Sequence, residues 1–317
     1  MRASIPFSER FLRYTSADAR PRARAGARLR VLSYNVGMLP PRPGRTKAEL
    51  RRAAEICNRI LDADPGYDIV CLQELFSGRL RTFVSHLLRP LFPYRLLKSG
   101  DGRTLNLDSG LFIASRLPLL GTPIFEQFNA ARSWDRLADK GVIATLVERD
   151  AEHAPLVLCN THLQSDYRSV GEHAEIRADQ LSQIARFVPY AARWGRELSG
   201  ALVSVLLVGD FNVVAERDGS PTAEYETMRR MLGRPRDVYR ALNDDGGITW
   251  DPPNNDAIPD GDSETDLLVQ RLDYALMFDE VASAEVEPLE AHGAWVDRFE
   301  GPSGAPLSDH YALVVEL

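Results

Sequence analysis

Five strand-like runs in this chain stop at a residue that can bind a cation or move a proton. "VLSYN" ends at Asn35, "IVCLQE" at Glu74, "LVLCNTH" at His162 and "LLVGDFN" at Asp210 and Asn212, while "RLD" carries Asp273. One site is reversed: in "PLSDHYALVVEL", Asp309 and His310 stand ahead of an alternating apolar run, at the mouth of what reads as the last strand. Taken singly, each is as well explained as a strand-terminating turn residue. Recurrence at separate ends shifts the balance toward a site, because active sites are commonly assembled from strand ends and the loops that follow. The chemistry on offer is hard oxygen ligands (Glu74, Asn35, Asp309) with two imidazoles (His162, His310) and no thiolate. That set suits Mg2+, which takes few carboxylates, keeps several waters and often binds substrate phosphate; zinc would require more His or Cys. A hard cation beside a His–Asp pair favours phosphoryl chemistry, in which the metal neutralises developing charge and a base activates water.

Elements able to present these residues alternate along the chain from Leu29 onward. "ELRRAAEICNRIL" places Leu50, Ala53, Ala54, Cys57 and Leu61 on one helical stripe, and "RLRTFVSHLLRPLF" repeats the pattern with His86 on the outer surface. Strands are predicted at 94–98, 110–114, 142–148 and 155–160, a helix near 174–190, and further strands at "VSVLLVGD", "RLDYALM" and "HYALVVEL". In the last of these Tyr311, Leu313, Val315 and Leu317 share a face. Adjacent strands together with helix-separated strands imply a mixed-sheet layered α/β architecture.

The 317 residues contain no low-complexity linker, so one large domain over 29–317 is expected, preceded by a flexible arginine-rich segment over 1–28. That segment has no continuous apolar core, so it does not read as a secretory signal, although a signal already removed would leave no trace. No apolar run is long enough to cross a bilayer, and cytoplasm is the default compartment. Cys57, Cys71 and Cys159 sit inside apolar stretches as buried free thiols do. The net charge of −7 disfavours a protein that tracks duplex nucleic acid. Neither GxxxxGKS/T, nor GxGxxG after a strand, nor GxSxG occurs, which removes the anchors of nucleotide-triphosphatase, dinucleotide and α/β-hydrolase readings. Trp134, Trp194 and Trp250 are expected to be packing residues, and His86, His153, His173 and His292 structural or exposed.

In order, "SYNVGML", "CLQEL", "DSGLFIASRLPL", "DKGV", "NTHLQS", "GDFN", "RLDYAL" and "SDHYAL" resemble the endonuclease/exonuclease/phosphatase superfamily over about 31–317. The resemblance implies a four-layer α/β/β/α sandwich of two packed mixed β-sheets, with a Mg2+-dependent phosphoester site at one end and Mn2+ as a substitute. Within the superfamily, "RLADKGVIATL", "CNTHLQS" and "ITWDPPNN" are similar to the neutral sphingomyelinase branch, whereas inositol-polyphosphate phosphatases show Cys-Asp-Arg where this chain reads "QRLDY". Carried over, Glu74 with Asn35 would hold the metal, assisted by Asp309. His310 would be the general base, oriented by Asp273. Asp210 and Asn212 would position water and a phosphate oxygen and could hold a second metal; His162 would donate to the phosphoryl oxygens, and Lys140 would contact the phosphate. The implied substrate is a phosphodiester, a phospholipid head group ahead of nucleic acid, with peripheral membrane contact through Trp295 and Phe299. The rival readings are a nuclease on the same scaffold and a catalytically silent binding protein.

Overall fold

Parallel neighbours in a sheet need a crossover connection, usually a helix, and both strands of such a unit then end at the same edge. Two such units organise this molecule. The computed structural model describes residues 13–15, 28–39, 46–98, 108–259, 261, 263–282 and 284–317. The chain begins with β1 (Arg13–Thr15), β2 (Arg30–Asn35), α1 (Thr46–Leu61), β3 (Ile69–Gln73), α2 (Gly78–Leu88), β4 (Tyr94–Lys98) and β5 (Phe112–Ser115). Then come β6 (Leu119–Gln127), β7 (Gly141–Val147), β8 (Leu156–His162), α3 (Ala174–Ser199) and β9 (Ser204–Asp210). A small ribbon, β10 (Glu216–Arg217) with β11 (Ser220–Pro221), precedes α4 (Ala223–Met231), β12 (Arg236–Asp237), α5 (Val238–Leu242) and α6 (Glu264–Leu267). β13 (Asp273–Met277), β14 (Gly293–Asp297) and β15 (Ala312–Glu316) close the chain.

The first sheet runs β1-β4-β5-β3-β2-β15-β14 and the second β12-β13-β9-β8-β7-β6. β2 and β3, joined by α1, are parallel, as are β8 and β9, joined by α3; the other pairings are antiparallel. The two parallel pairs therefore terminate where Asn35, Gln73, His162 and Asp210 lie. β13 and β15, antiparallel to β9 and β2, begin at that same edge. This explains why Asp273, Asp309 and His310 precede their apolar runs while the other polar residues follow theirs.

Three apolar layers hold the four structural ones. α1 and α2 cover the outer face of the first sheet through Ile56, Cys57, Leu80 and Val84. α3 and α4 cover the second through Leu181, Ile184, Phe187 and Met228. Between the sheets lie Val31, Ile69, Leu313 and Val315 from one and Ile143, Leu158, Leu206 and Val208 from the other. The result is the expected four-layer α/β/β/α sandwich. Leu313, Val315 and Leu317 do share the inter-sheet face, but Ala312 and Val314 are equally buried beneath the helices. All three cysteines are buried and free.

Some elements differ from their sequence reading. The predicted helix at 174–190 continues through Pro189 to Ser199 and stops at Gly200, whose φ of 69° gives the left-handed cap that L residues avoid. β6 was invisible because Gly121 and Pro123 read as breakers; it is an edge strand with a register shift between Leu120 and Ile124, where proline is tolerated. β1 lies inside the segment read as a flexible lead-in, most of which falls outside the described residues, as does the Trp134 side chain. Phe299 and Trp295 do not form a lipid-facing pair: Phe299 is wholly buried with its ring centroid 4.7 Å from that of Tyr34, and Trp295 is half-buried in β14 beneath Arg30.

The close approach of β8 and β9 depends on Gly209, with φ 144°, where a Cβ would lie 2.0 Å from the Thr161 carbonyl oxygen. Gly209→Ala is expected to destabilise the protein by about 3 kcal/mol, because the clash is with backbone and cannot be relieved by a rotamer change. Denaturant unfolding midpoints would check this, and an unchanged midpoint would contradict it.

Candidate active site

At the common edge of the two sheets the hydrogen-bond chemistry runs from one sheet into the other. Asn35, the last residue of β2, donates through Nδ2 to Asp210 Oδ2 at 2.9 Å, while its Oδ1 accepts from the Gly37 amide at 3.1 Å. Asp210 Oδ1 accepts from the Asn212 amide at 2.9 Å, which the left-handed backbone of Asn212 (φ 51°) makes reachable. His310 Nδ1 and Asp273 Oδ2 are 2.9 Å apart, and His310 Nε2 lies 3.6 Å from Asp210 Oδ2. The ionised carboxylate only accepts, so Nδ1 carries the proton and, in the neutral ring, Nε2 is left as the free base. The Asp273 and Asp210 carboxylates flank one imidazole, and all three side chains are buried.

Burial by itself lowers the His310 pKa, but the carboxylates of Asp273, Asp210 and Asp309 outweigh it and push the value up to about 10. Burial raises Glu74 to about 7, helped by the Asp309 charge and opposed by Lys140 and His310. Burial also raises Asp210 to about 6, with His310 opposing and Asp273 reinforcing. Glu74 stands on strained backbone with φ 59°, and among the described residues its carboxylate accepts no hydrogen bond; Oε1 is 3.8 Å from His162 Nε2. A residue held in a sparsely populated backbone region at such a place points to function. Asp309 faces the same space from the other side: Ser308 Oγ lies 2.8 Å from the Asn35 carbonyl oxygen and 3.0 Å from Asp309 Oδ1, and a Cβ on Gly37 (φ 54°) would come within 2.7 Å of that oxygen. The buried Asp210 and the half-buried, mutually repelling Glu74 and Asp309 carboxylates are a hard-oxygen donor set that a divalent cation satisfies, so these residues fit one.

His162 and Lys140 occupy different positions from those expected. The Lys140 side chain is 1% exposed, and its ammonium meets Asp135 Oδ1 at 3.0 Å, the Leu163 carbonyl at 2.8 Å and His162 Nε2 at 3.1 Å. An ammonium can only donate, so Nε2 of His162 is an acceptor and the proton sits on Nδ1. Burial, then the Lys140 and His310 charges, hold the His162 pKa well below its usual value, which keeps the ring neutral. The donor it retains is Nδ1–H, an atom with no partner among the described residues. Lys140, with all three hydrogens directed at the fold, is not an open phosphate contact.

Trp250, read from sequence as packing, is in the site: its ring meets His310 edge-on at 5.2 Å, and its indole N–H donates to the Thr265 carbonyl at 3.0 Å. The preceding Thr249 accepts from the Leu272 and Asp273 amides through Oγ1, and its carbonyl accepts from the Tyr311 amide. The "ITWD" stretch thus ties the mouth of β13 to that of β15. Asp135 was also missed; it lies five residues before Lys140, immediately ahead of the quoted "RLADKGVIATL". His86, His153 and His292 are exposed and His173 is half-buried beside Asp166, away from this cluster.

The sequence pattern of the Endonuclease/Exonuclease/phosphatase family matches residues 32–310. Over 187 residues the chain is 31% identical to sphingomyelin phosphodiesterase 5 of Danio rerio, covering 55% of this chain and 33% of that protein. The chain spans 16% to 63% of the lengths of three curated relatives it matches. In structure it is similar to a mutant beta toxin from Staphylococcus aureus with bound magnesium ions, at a TM-score of 0.65 and 21% identity, covering 91% of this chain and 99% of that one. It is also similar to TDP2 from D. rerio complexed with single strand DNA product, at a TM-score of 0.62 and 20% identity, covering 91% and 98%. At these identities the structural likeness concerns the fold. Among the described residues, no helix is long and apolar enough to cross a membrane.

Proposed function

Because the chain belongs to the Endonuclease/Exonuclease/phosphatase family, we propose that it is a divalent-cation-dependent phosphodiesterase that hydrolyses the head-group ester of a phospholipid. The observation that carries this reading is the His310–Asp273 pair set against the buried Asp210 and the half-buried Glu74 and Asp309 carboxylates at one end of the two sheets. Glu74, Asn35 and Asp309 would hold the cation, with Mg2+ as the first choice, Mn2+ as a substitute and a second site at Asp210 and Asn212. When bound, the cation supplies charge that stabilises the phosphoryl oxygens and offsets the carboxylates that otherwise keep His310 protonated. His310 Nε2 takes the proton of the attacking water while Asp273 holds Nδ1–H, so the ring neither turns nor changes tautomer. Asp210 and Asn212 orient the water and a phosphate oxygen, and Trp250 shields one edge of the imidazole. His162 borders the cluster through Nε2, 3.4 Å from Asp210 Oδ2 and 3.8 Å from Glu74 Oε1.

Phospholipid is favoured by the sequence likeness to a sphingomyelin phosphodiesterase and by the net charge of −7, which repels a polyanion. The likeness in fold to a protein with a DNA product is the observation for a nuclease. A panel of detergent-dispersed sphingomyelin, lysophospholipids, inositol phosphates and plasmid DNA, each with Mg2+ and with EDTA, tests the choice. Mg2+-dependent release of a choline-type head group, faster than DNA nicking, is the expected outcome. Brisk nicking with sphingomyelin untouched would transfer the protein to the nuclease reading, and no hydrolysis of any phosphodiester would leave only a binding role.

A further inference from the structure

One layer beneath the site, two carboxamides cross a mainly apolar slab. Gln73, the last residue of β3, donates through Nε2 to Asn160 Oδ1 at 2.8 Å and to Ser33 Oγ at 3.2 Å. Asn160, on β8 of the opposite sheet, donates through Nδ2 to the Leu72 and Phe112 carbonyls at 3.2 and 3.3 Å. Both residues are 0% exposed, and Gln73 Oε1 has no partner. Burying an unsatisfied amide oxygen is costly, and an apolar pair would fill this volume without that cost. Apart from Ser33, the inter-sheet layer is mainly Leu, Ile and Val with a few others such as Cys71, Phe125 and Met277, whose attraction is non-directional and barely distinguishes one sliding position of the sheets from another.

The consequences of sliding are unequal. Glu74 follows Gln73 directly, and His162 lies two residues beyond Asn160. The site draws Asn35, Glu74, Asp309 and His310 from the first sheet's strands and their ends, and His162, Asp210 and Asp273 from the second's. Every cross-sheet distance in it therefore depends on the register of one sheet against the other. A misplacement of about 1 Å can cost on the order of a hundredfold in rate.

We propose that Gln73 and Asn160 are positioning residues whose buried hydrogen bonds lock the two sheets in the register at which the metal-side and base-side groups meet. The inference rests on the functional reading above: its catalytic arm on phosphodiester turnover, its binding arm on the cation site alone. The test uses the full chain and three variants: Gln73→Met, Asn160→Leu, and the two combined, each replacement matching its amide in shape. Melting midpoints, Mg2+ affinity by titration calorimetry, and kcat and KM are measured for all. Each single change strands one amide and should lower the melting midpoint by roughly 5 °C; the double variant, with neither amide left, should recover most of that loss. Mg2+ affinity and kcat should nevertheless stay about 10–100-fold down in the double variant, with KM changing less. A merely structural pair would return affinity and kcat along with the melting midpoint, and that result would overturn the proposal. If the double variant does not fold, Gln73→Met alone decides: wild-type Mg2+ affinity in it overturns the claim. A wild-type chain that binds Mg2+ but turns over no phosphodiester counts against the functional reading alone, whereas one that binds no divalent cation overturns both.

Discussion

Replacing Glu74 by Gln is expected to lower turnover by at least ~100-fold at saturating substrate, since metal charge supplies several kcal/mol of transition-state stabilisation. Gln keeps the size and planarity of the carboxylate and removes only its charge. The effect should exceed that of an ordinary polar loss because Glu74 has no hydrogen-bonding role to retain: no described residue donates to it, and burial and Asp309 already oppose its ionisation. For the same reason the metal-free variant should fold at least as well as the parent, a half-buried charge repelled by Asp309 having been removed. The measurement is kcat across a Mg2+ titration, with melting curves in EDTA as the control for folding. Full turnover by Glu74→Gln, or by the metal-stripped parent in EDTA, would sink the assignment.

His310→Ala should reduce kcat by roughly 10²–10⁴-fold, the range over which a positioned general base contributes. Asp273→Asn should impair kcat by a related route. The amide that replaces Oδ2 can donate to Nδ1, which would place the ring proton on Nε2, the atom required to accept from water. The 2.9 Å separation of His310 Nδ1 and Asp273 Oδ2 makes this inversion direct. Imidazole added to His310→Ala should restore part of the activity, whereas it should do nothing for Asp273→Asn, whose ring is present but wrongly protonated. Near-wild-type kcat in His310→Ala with a normal melting curve would require another base.

Much of the site was legible in one dimension because each of its residues sits where a buried strand ends. Asn35, Glu74, His162, Asp210 and Asp273 adjoin runs of Val, Leu and Ile whose burial on both faces is a local property, readable from period and composition. The reversed order at Asp309 and His310 was equally visible, though its cause, an antiparallel strand starting where parallel ones stop, belongs to topology. Other features could not be read so. Phe299 looked like a surface aromatic on an acidic stretch, yet β14 folds back on β15 and carries it beneath Tyr34. Lys140 carries the same local signal whether it is exposed or sealed under His162, and Trp250 the same signal whether it packs a core or shields an imidazole. Gln73 and Asn160 are 87 residues apart, and no pattern along the chain announces that they meet. Strand periodicity specifies which face a residue turns inward. It does not specify which strand of the opposite sheet will lie across from it, because apolar burial rewards any close-packed partner. That choice emerges only when the whole chain is assembled and the few directional bonds between the sheets can form together.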